Sequence, residues 1–394
     1  MSSKIAELAG RIHDNVLRLD AHLRDNGLPS PSFDEDGPVD FGINSEAIQI
    51  ARDTALGSSL ELYKLLLGPA LCLRPVYNGV SLQAIWKYDI ASKVPIHGEI
   101  SSRSWLKKPR KWFVSHTAAS RKLADNPLAR AGCGYMFDEV WPSFVHTVPA
   151  LEKFKGGDEP NQTGWNIYEG TEKTAWEYYS DNLEMAKRFA GAMSCFTNGH
   201  GLSPLVLIKG YPWTSIGNGT GTIVDVGCSK GTVMAEIAKS APGLKFIIQD
   251  LPDMIQGAKE EIPSDIAGRM EFMVHDFFKE QRVRADAYFF RYIFHNWSDR
   301  NSVRILRALV PALKPGARVI INDYILPEPG TSSYIRERAI RDMDMIMLSL
   351  YNSREREKDD WDMLFREADP RFRNVKTWVP EGAMLGVVEA TWVP

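Results

Sequence analysis

The chain of 394 residues is long enough for two or three domains, and 44% hydrophobic, 25% charged and 10% aromatic residues is the composition of a folded globular protein. That excludes a disordered chain, a collagen-like fibre and a coiled coil. A net charge of -3 counts against a nucleic-acid-coating surface, and four scattered cysteines (Cys72, Cys133, Cys195, Cys228) count against a disulfide framework or a metal cage.

The N-terminus alternates charged and apolar residues without the apolar core of a signal peptide, and no run of 18 apolar residues occurs. A cytoplasmic protein without membrane contact is expected. Ile5, Leu8, Ile12, Val16, Leu19 and Leu23 form one helical stripe, ended by Asn26-Gly27. The stripe covers either its own domain or a second copy of the chain. After a Pro/Asp/Gly-rich linker from Pro29 to Val39, Ser45 caps a second helix with Glu46 in its first turn, ended by Gly68-Pro69. From Ala119 to Phe196 the pattern is helical, broken by the polar stretch Gly156 to Thr163, with a single helix expected over Thr171 to Phe196.

From Gly221 onward the texture changes. TIVDVG, KFIIQDL, EFMVHDF, AYFFRYI and ARVIINDYIL are strand-like and alternate with amphipathic stretches such as MAEIAKSA. Such alternation implies a parallel sheet with crossover helices. Two last runs, VKTWV and MLGVVEATWV, separated by Pro380-Glu381-Gly382, read as a hairpin closing one edge. A boundary near residue 165 gives a helical domain (1–165) and an α/β domain (166–394).

In such sheets ligands bind beyond the carboxyl ends of the strands. Asp225, Asp250 and Asp276 each end a strand and lie 25 and 26 residues apart, one per strand–helix unit. Together they fit an adenosine ligand. Gly227 and Gly231 allow a sharp turn and close backbone approach. Asp250, followed by Leu251, stands where an acid binds ribose hydroxyls. Asp276 with Phe277 offers an acceptor and an aromatic surface for adenine. His295 follows the fourth strand and Asp323 the fifth, so the two can meet. A histidine held by a carboxylate, Asp323 or Glu355, makes a general base. Met343, Met347 and Trp361 fit either a pocket or the core.

At these residues the chain resembles the caffeic-acid-type small-molecule O-methyltransferases of plants and fungi, most closely the fungal branch of secondary metabolism. LQAIWKYDIASKVP, VDVGCSKG, QDLPDMI, HDFF, YFFRYIFHNWSD, ILRALVPALKPGARVIIND and LPEPG carry the likeness over most of the chain. The resemblance implies a Rossmann-like S-adenosylmethionine-binding domain behind a mostly helical, winged-helix-like domain that makes a homodimer. It implies that the loop from Gly227 to Gly231 wraps the methionine part of S-adenosylmethionine, that Asp250 binds the ribose, that Asp276 and Phe277 hold the adenine, and that Arg291 lies near the cofactor. It also implies that His295 deprotonates the substrate hydroxyl, flanked and oriented by Asp323 and Glu355. The substrate is then a phenolic polyketide or alkaloid, with no metal and no nucleic acid involved.

Two features depart from that pattern. Cys228 and Lys230 stand in the glycine loop, where Lys230 could activate the thiol. The segment around residues 100–114 is short, leaving Lys107, Lys108, Arg110 and Lys111 with Trp105 and Trp112, read as a solvated loop. Two rival functions keep the fold: an enzyme that uses the bound sulfonium to steer dehydration or pericyclic chemistry, and a non-catalytic regulator.

Overall fold

The computed structural model describes residues 3–32, 34, 36–40, 42–72, 86–94, 100–101, 113–116, 118–197, 201–255 and 257–394. The basic and aromatic cluster at 105–112 lies outside them. They divide into two compact units. The first holds residues 1–142, 179–196 and 329–339; the second holds 143–178, 197–328 and 340–394. The expected cut near residue 165 falls within a segment that clusters with the second unit.

In the first unit, Lys4–Asp25 is helical. The Ser3 hydroxyl accepts from the Ala6 amide, and Asn26 closes the far end on the carbonyl of His22. Of the expected stripe, Leu8 and Leu23 are buried while Ile5 and Val16 are exposed. The second helix runs Glu46–Cys72, past Gly68-Pro69 where the sequence suggested a stop. A proline near a helix end removes one amide donor and strains one turn, and here the helix continues for a few residues beyond it. Two short strands, β1 (Ile100–Ser101) and β2 (Phe113–Val114), pair antiparallel.

The single helix expected over Thr171 to Phe196 is two helices, Ala175–Asp181 and Leu183–Thr197. The chain is interrupted at Asn182, and the first of the two helices starts late because of a side chain upstream. Asn166 donates to the carbonyls of Thr171 (3.0 Å) and Lys173 (2.7 Å), holding that stretch in a loop. Thr174 and Glu177 then cap the new start, each accepting the other's amide.

The second unit is built on a seven-stranded sheet. Its strands are β3 (Thr222–Val226), β4 (Lys245–Asp250), β5 (Met270–Val274), β6 (Ala287–Arg291), β7 (Arg318–Asn322), β8 (Phe372–Trp378) and β9 (Val387–Trp392). The order is β5-β4-β3-β6-β7-β9-β8. The first five are parallel; β9 runs antiparallel to β7, and β8 antiparallel to β9. This is the expected parallel sheet with an antiparallel hairpin at one edge.

Both faces are covered, which is why the inner strands are apolar runs without strict alternation. In β6, Tyr288 and Phe290 pack with Ile305, Leu306 and Phe365 on one face, while Phe289 packs with Ile223, Ile237 and Phe246 on the other. Met347 and Trp361 are buried core residues. The order reverses between β3 and its neighbours β4 and β6, so the loops after β3, β4, β6 and β7 share one edge.

Candidate active site

The loop after β3 is tightly folded. Gly227, Ser229 and Gly231 all have positive φ (72°, 53° and 69°). A Cβ on Gly227 would stand 2.6 Å from Ile293 Cδ1 and 3.3 Å from Phe277 Cε1, so only glycine fits both the space and the backbone. The loop is fastened to the end of β4. Asp250 accepts from the amide of Ser229 (2.6 Å) through one oxygen and from that of Leu251 (2.7 Å) through the other. Each carboxylate oxygen keeps capacity for a further donor. Asp276, after β5, accepts from the Phe278 amide through one oxygen, and the Phe277 ring lies in edge contact with Trp297.

Asp225 is buried beneath this loop. Burial first, and the nearby charge of Asp250 second, push its pKa up to about 8, against smaller opposing effects of Cys228 and Arg291. Cys228 donates weakly to the Gln249 carbonyl. Burial and the charges of Asp225 and Asp250 raise its thiol well above the usual range, and Lys230 pairs with Glu261 instead. The thiol is therefore neutral, not activated. Arg291 stands opposite Asn322 in the β6–β7 ladder and donates to its side-chain oxygen and to the carbonyl of Leu202 (2.6 Å).

After β6 the chain turns sharply at Tyr292, a non-glycine residue with φ 55°, and presents His295 in a short 3-10 turn. The imidazole is buried. Its Nδ1 lies 3.0 Å from Glu355 Oε1. With Nδ1–H donated to that carboxylate, Nε2 is left as an acceptor, and it has no hydrogen-bond partner among the described residues. The rings of Tyr292 and Tyr324 lie 5.4 and 6.5 Å from the imidazole. Asp323 does not reach the ring. Its Oδ2 accepts from the backbone amide of His295 (3.1 Å), so of the two acids expected to orient the imidazole, Glu355 touches it and Asp323 holds its backbone. The shorter side chain of an aspartate accounts for this. Burial acts to lower the His295 pKa, but the charge and hydrogen bond of Glu355 and the charge of Asp323 outweigh it, and the net direction is upward. Burial also raises Glu355, so the pair as a unit retains a proton beyond the range of free imidazole.

Residues 157–370 match the model of the O-methyltransferase domain family. The chain is 49% identical to the O-methyltransferase pyvH of Aspergillus violaceofuscus, over 99% of both chains. The chain belongs to the S-adenosylmethionine-dependent O-methyltransferase family. It is 46% identical to the grayanic acid biosynthesis cluster O-methyltransferase of Cladonia grayi, with 100% of this chain and 89% of that one covered. The solved structure of OxaC superposes with a TM-score of 0.75 at 18% identity, over 98% of each chain, which establishes shared fold. This enzyme's relatives are thus O-methyltransferases of secondary metabolism, and the expected fold class and activity class both stand. Among the described residues no helix is long and apolar enough to cross a membrane.

Sequence reasoning missed three parts of this edge. The rings of Tyr292 and Tyr324 were read only as strand residues. Asn322, the partner of Arg291, lies within the strand-like run ARVIINDYIL and was given no role of its own. Arg356, which follows Glu355 in the charged run SREREK, was given no role, yet it is fully buried.

Proposed function

We propose that this O-methyltransferase methylates a phenolic or enolic hydroxyl of a secondary metabolite, with His295 as general base. The observation that carries the proposal is the imidazole with Nδ1 on a buried carboxylate and Nε2 open, one strand away from the glycine loop. A phenol has a pKa of about 10, so little of it is phenolate near neutral pH. Nε2 takes its proton as the oxygen becomes nucleophilic, and Glu355 stabilises the imidazolium that results. Asp323 fixes the backbone that carries the base.

The residues around the glycine loop fit S-adenosylmethionine. Asp225, neutral at rest, could ionise beside a bound cation, Asp250 has acceptor capacity for ribose hydroxyls, and Asp276 with Phe277 suits adenine. Gly227 lets the loop pack directly on Ile293 and Phe277, where a side chain of its own would collide. Leu251, whose amide donates to Asp250, would stand next to the ribose site, and Arg291 is close enough to Asp225 to lower its pKa. Bound S-adenosylmethionine supplies the electrophilic methyl group and leaves as S-adenosylhomocysteine. The same reading makes the enzyme a cytoplasmic homodimer built on its N-terminal helices, acting on a small molecule and not on nucleic acid.

The test is incubation with methyl-labelled S-adenosylmethionine and a panel of phenolic polyketides and alkaloids. Label transfer is expected in the wild type, falling by about 10²–10⁴-fold in His295→Ala with S-adenosylhomocysteine binding kept. Glu355→Gln should lower the rate and move the acid limb of kcat/KM to lower pH, because it removes the charge that raises His295. Conversion of a substrate without label transfer would instead support dehydration or pericyclic chemistry, and full activity in His295→Ala would remove the base from this reading.

A further inference from the structure

Arg356 has no place in the mechanism above, yet it is wholly buried, an expensive position for a charge unless every donor is used. Its Nη1 donates to the carbonyl of Phe294 (2.9 Å) and its Nη2 to the carbonyl of Trp297 (2.7 Å) and the Ser302 hydroxyl (3.1 Å). Phe294 and Trp297 bracket His295. Nε donates to Asp299 (2.8 Å), which also accepts from Arg354. The guanidinium lies over the Trp361 ring, 5.3 Å from its centre. The backbone of Arg356 is committed as well. It bridges to Ile325, and its carbonyl accepts from the Leu326 amide (2.9 Å), two and three residues beyond Asp323. Its preceding neighbour is Glu355, whose amide donates to Asp344 (2.7 Å).

We infer that Arg356 is a positioning residue for methyl transfer: it joins the turn that carries His295, the segment after Asp323 and the backbone of Glu355, and so sets the hydrogen bond between His295 and Glu355. The inference rests on the reading of His295 as base. A rigid planar fork with donors at fixed angles can hold two carbonyls and a carboxylate together; the point charge of a lysine cannot. Its effect on the base is geometric first. The charged groups that face the imidazole are Glu355, Asp323 and Arg356, and of these only Arg356 acts to lower its pKa.

The experiment compares Arg356→Lys, Arg356→Met and Asp299→Asn with wild type, measuring kcat, KM and the pH profile for a labelled-methyl acceptor, together with S-adenosylhomocysteine affinity and thermal unfolding. Arg356→Lys keeps the charge and loses the fork. It should fold, bind S-adenosylhomocysteine within about two-fold of wild type, hold KM, and lose about 10²-fold in kcat, the scale of a roughly 1 Å misplacement. Its acid limb should move to lower pH, because a loosened hydrogen bond to Glu355 raises His295 less; that of Arg356→Met, which also loses the charge that lowers His295, should lie on the high-pH side of the lysine variant. In a His295→Ala background the lysine substitution should cost nothing further. If the Arg356 variants do not fold, Asp299→Asn decides. It turns one charged anchor on a half-buried residue into a neutral and weaker acceptor and should lower kcat several-fold at unchanged KM. Wild-type kcat in folded Arg356→Lys, or in Asp299→Asn where the others fail to fold, overturns the inference. If His295→Ala is inactive while these variants are fully active, only the role of Arg356 falls; if His295→Ala is active, the base itself falls.

Discussion

The acids at the strand ends were legible because each closes an apolar run and recurs once per strand–helix unit. Their ionisation was not, since it depends on how deeply the fold encloses them. Asp225 shows the consequence. Its folded-state pKa of about 8 lies far above the 3.8 of an exposed aspartate, so the folded state binds its proton more tightly than the unfolded state does. Stability from this group is therefore full below about pH 4 and is lost as pH rises through about 8. Asn has no proton to lose. Asp225→Asn should match the wild type near pH 4 and gain on it steadily as pH rises toward about 8, measured by urea unfolding of the ligand-free protein. A gap that does not widen with pH would show that Asp225 is not a neutral acid at rest. The same variant should bind S-adenosylmethionine more weakly, having lost the negative charge that a cation would draw out.

At the scale of elements, the strands were read well and the helix ends less so. Core strands of a parallel sheet are short apolar runs that local sequence displays directly. The break before Ala175 depends on Asn166 reaching across a turn to the carbonyls of Thr171 and Lys173, and no periodicity reports that. The turn at Tyr292 was equally hidden, because a tyrosine with positive φ is held there by its neighbours and not by its own preference. The glycine loop is the opposite case, where sequence and geometry agree. Gly227→Ala places a methyl group against Ile293 and Phe277 on a backbone with φ 72°. It should cost roughly 1–2 kcal/mol of stability from the left-handed conformation. It should also weaken S-adenosylhomocysteine binding about ten-fold or more, as the displaced Phe277 ring leaves the adenine unsupported. Gly268→Ala is the control: φ there is -66° and nothing lies within 4 Å of the added carbon, so neither quantity should move. Calorimetric titration and thermal unfolding measure both.

At the scale of the whole molecule, the near-neutral charge and the N-terminal stripe point to partners of different kinds. The chain has 394 residues, and its alignment with the pyvH relative spans 422 positions, so that relative carries residues this chain lacks. Among the described residues, the two N-terminal helices present several exposed apolar side chains. Ile5, Val16 and Leu17 on the first helix and Ile50, Leu56, Tyr63, Leu65 and Leu66 on the second are each at least 45% exposed. Exposed apolar side chains of this kind are what the proposed homodimer would cover. Light scattering at micromolar concentration should give about twice 44.3 kDa. Val16→Glu and Leu66→Glu place charges where the isolated chain tolerates them, since both side chains already face solvent there. They should shift the mass toward the monomer while leaving the far-UV spectrum unchanged. A wild type that runs as a monomer would mean that these helices are covered in some other way, and the first alternative raised by the stripe, that it packs on its own domain, would have to account for residues the structure leaves exposed.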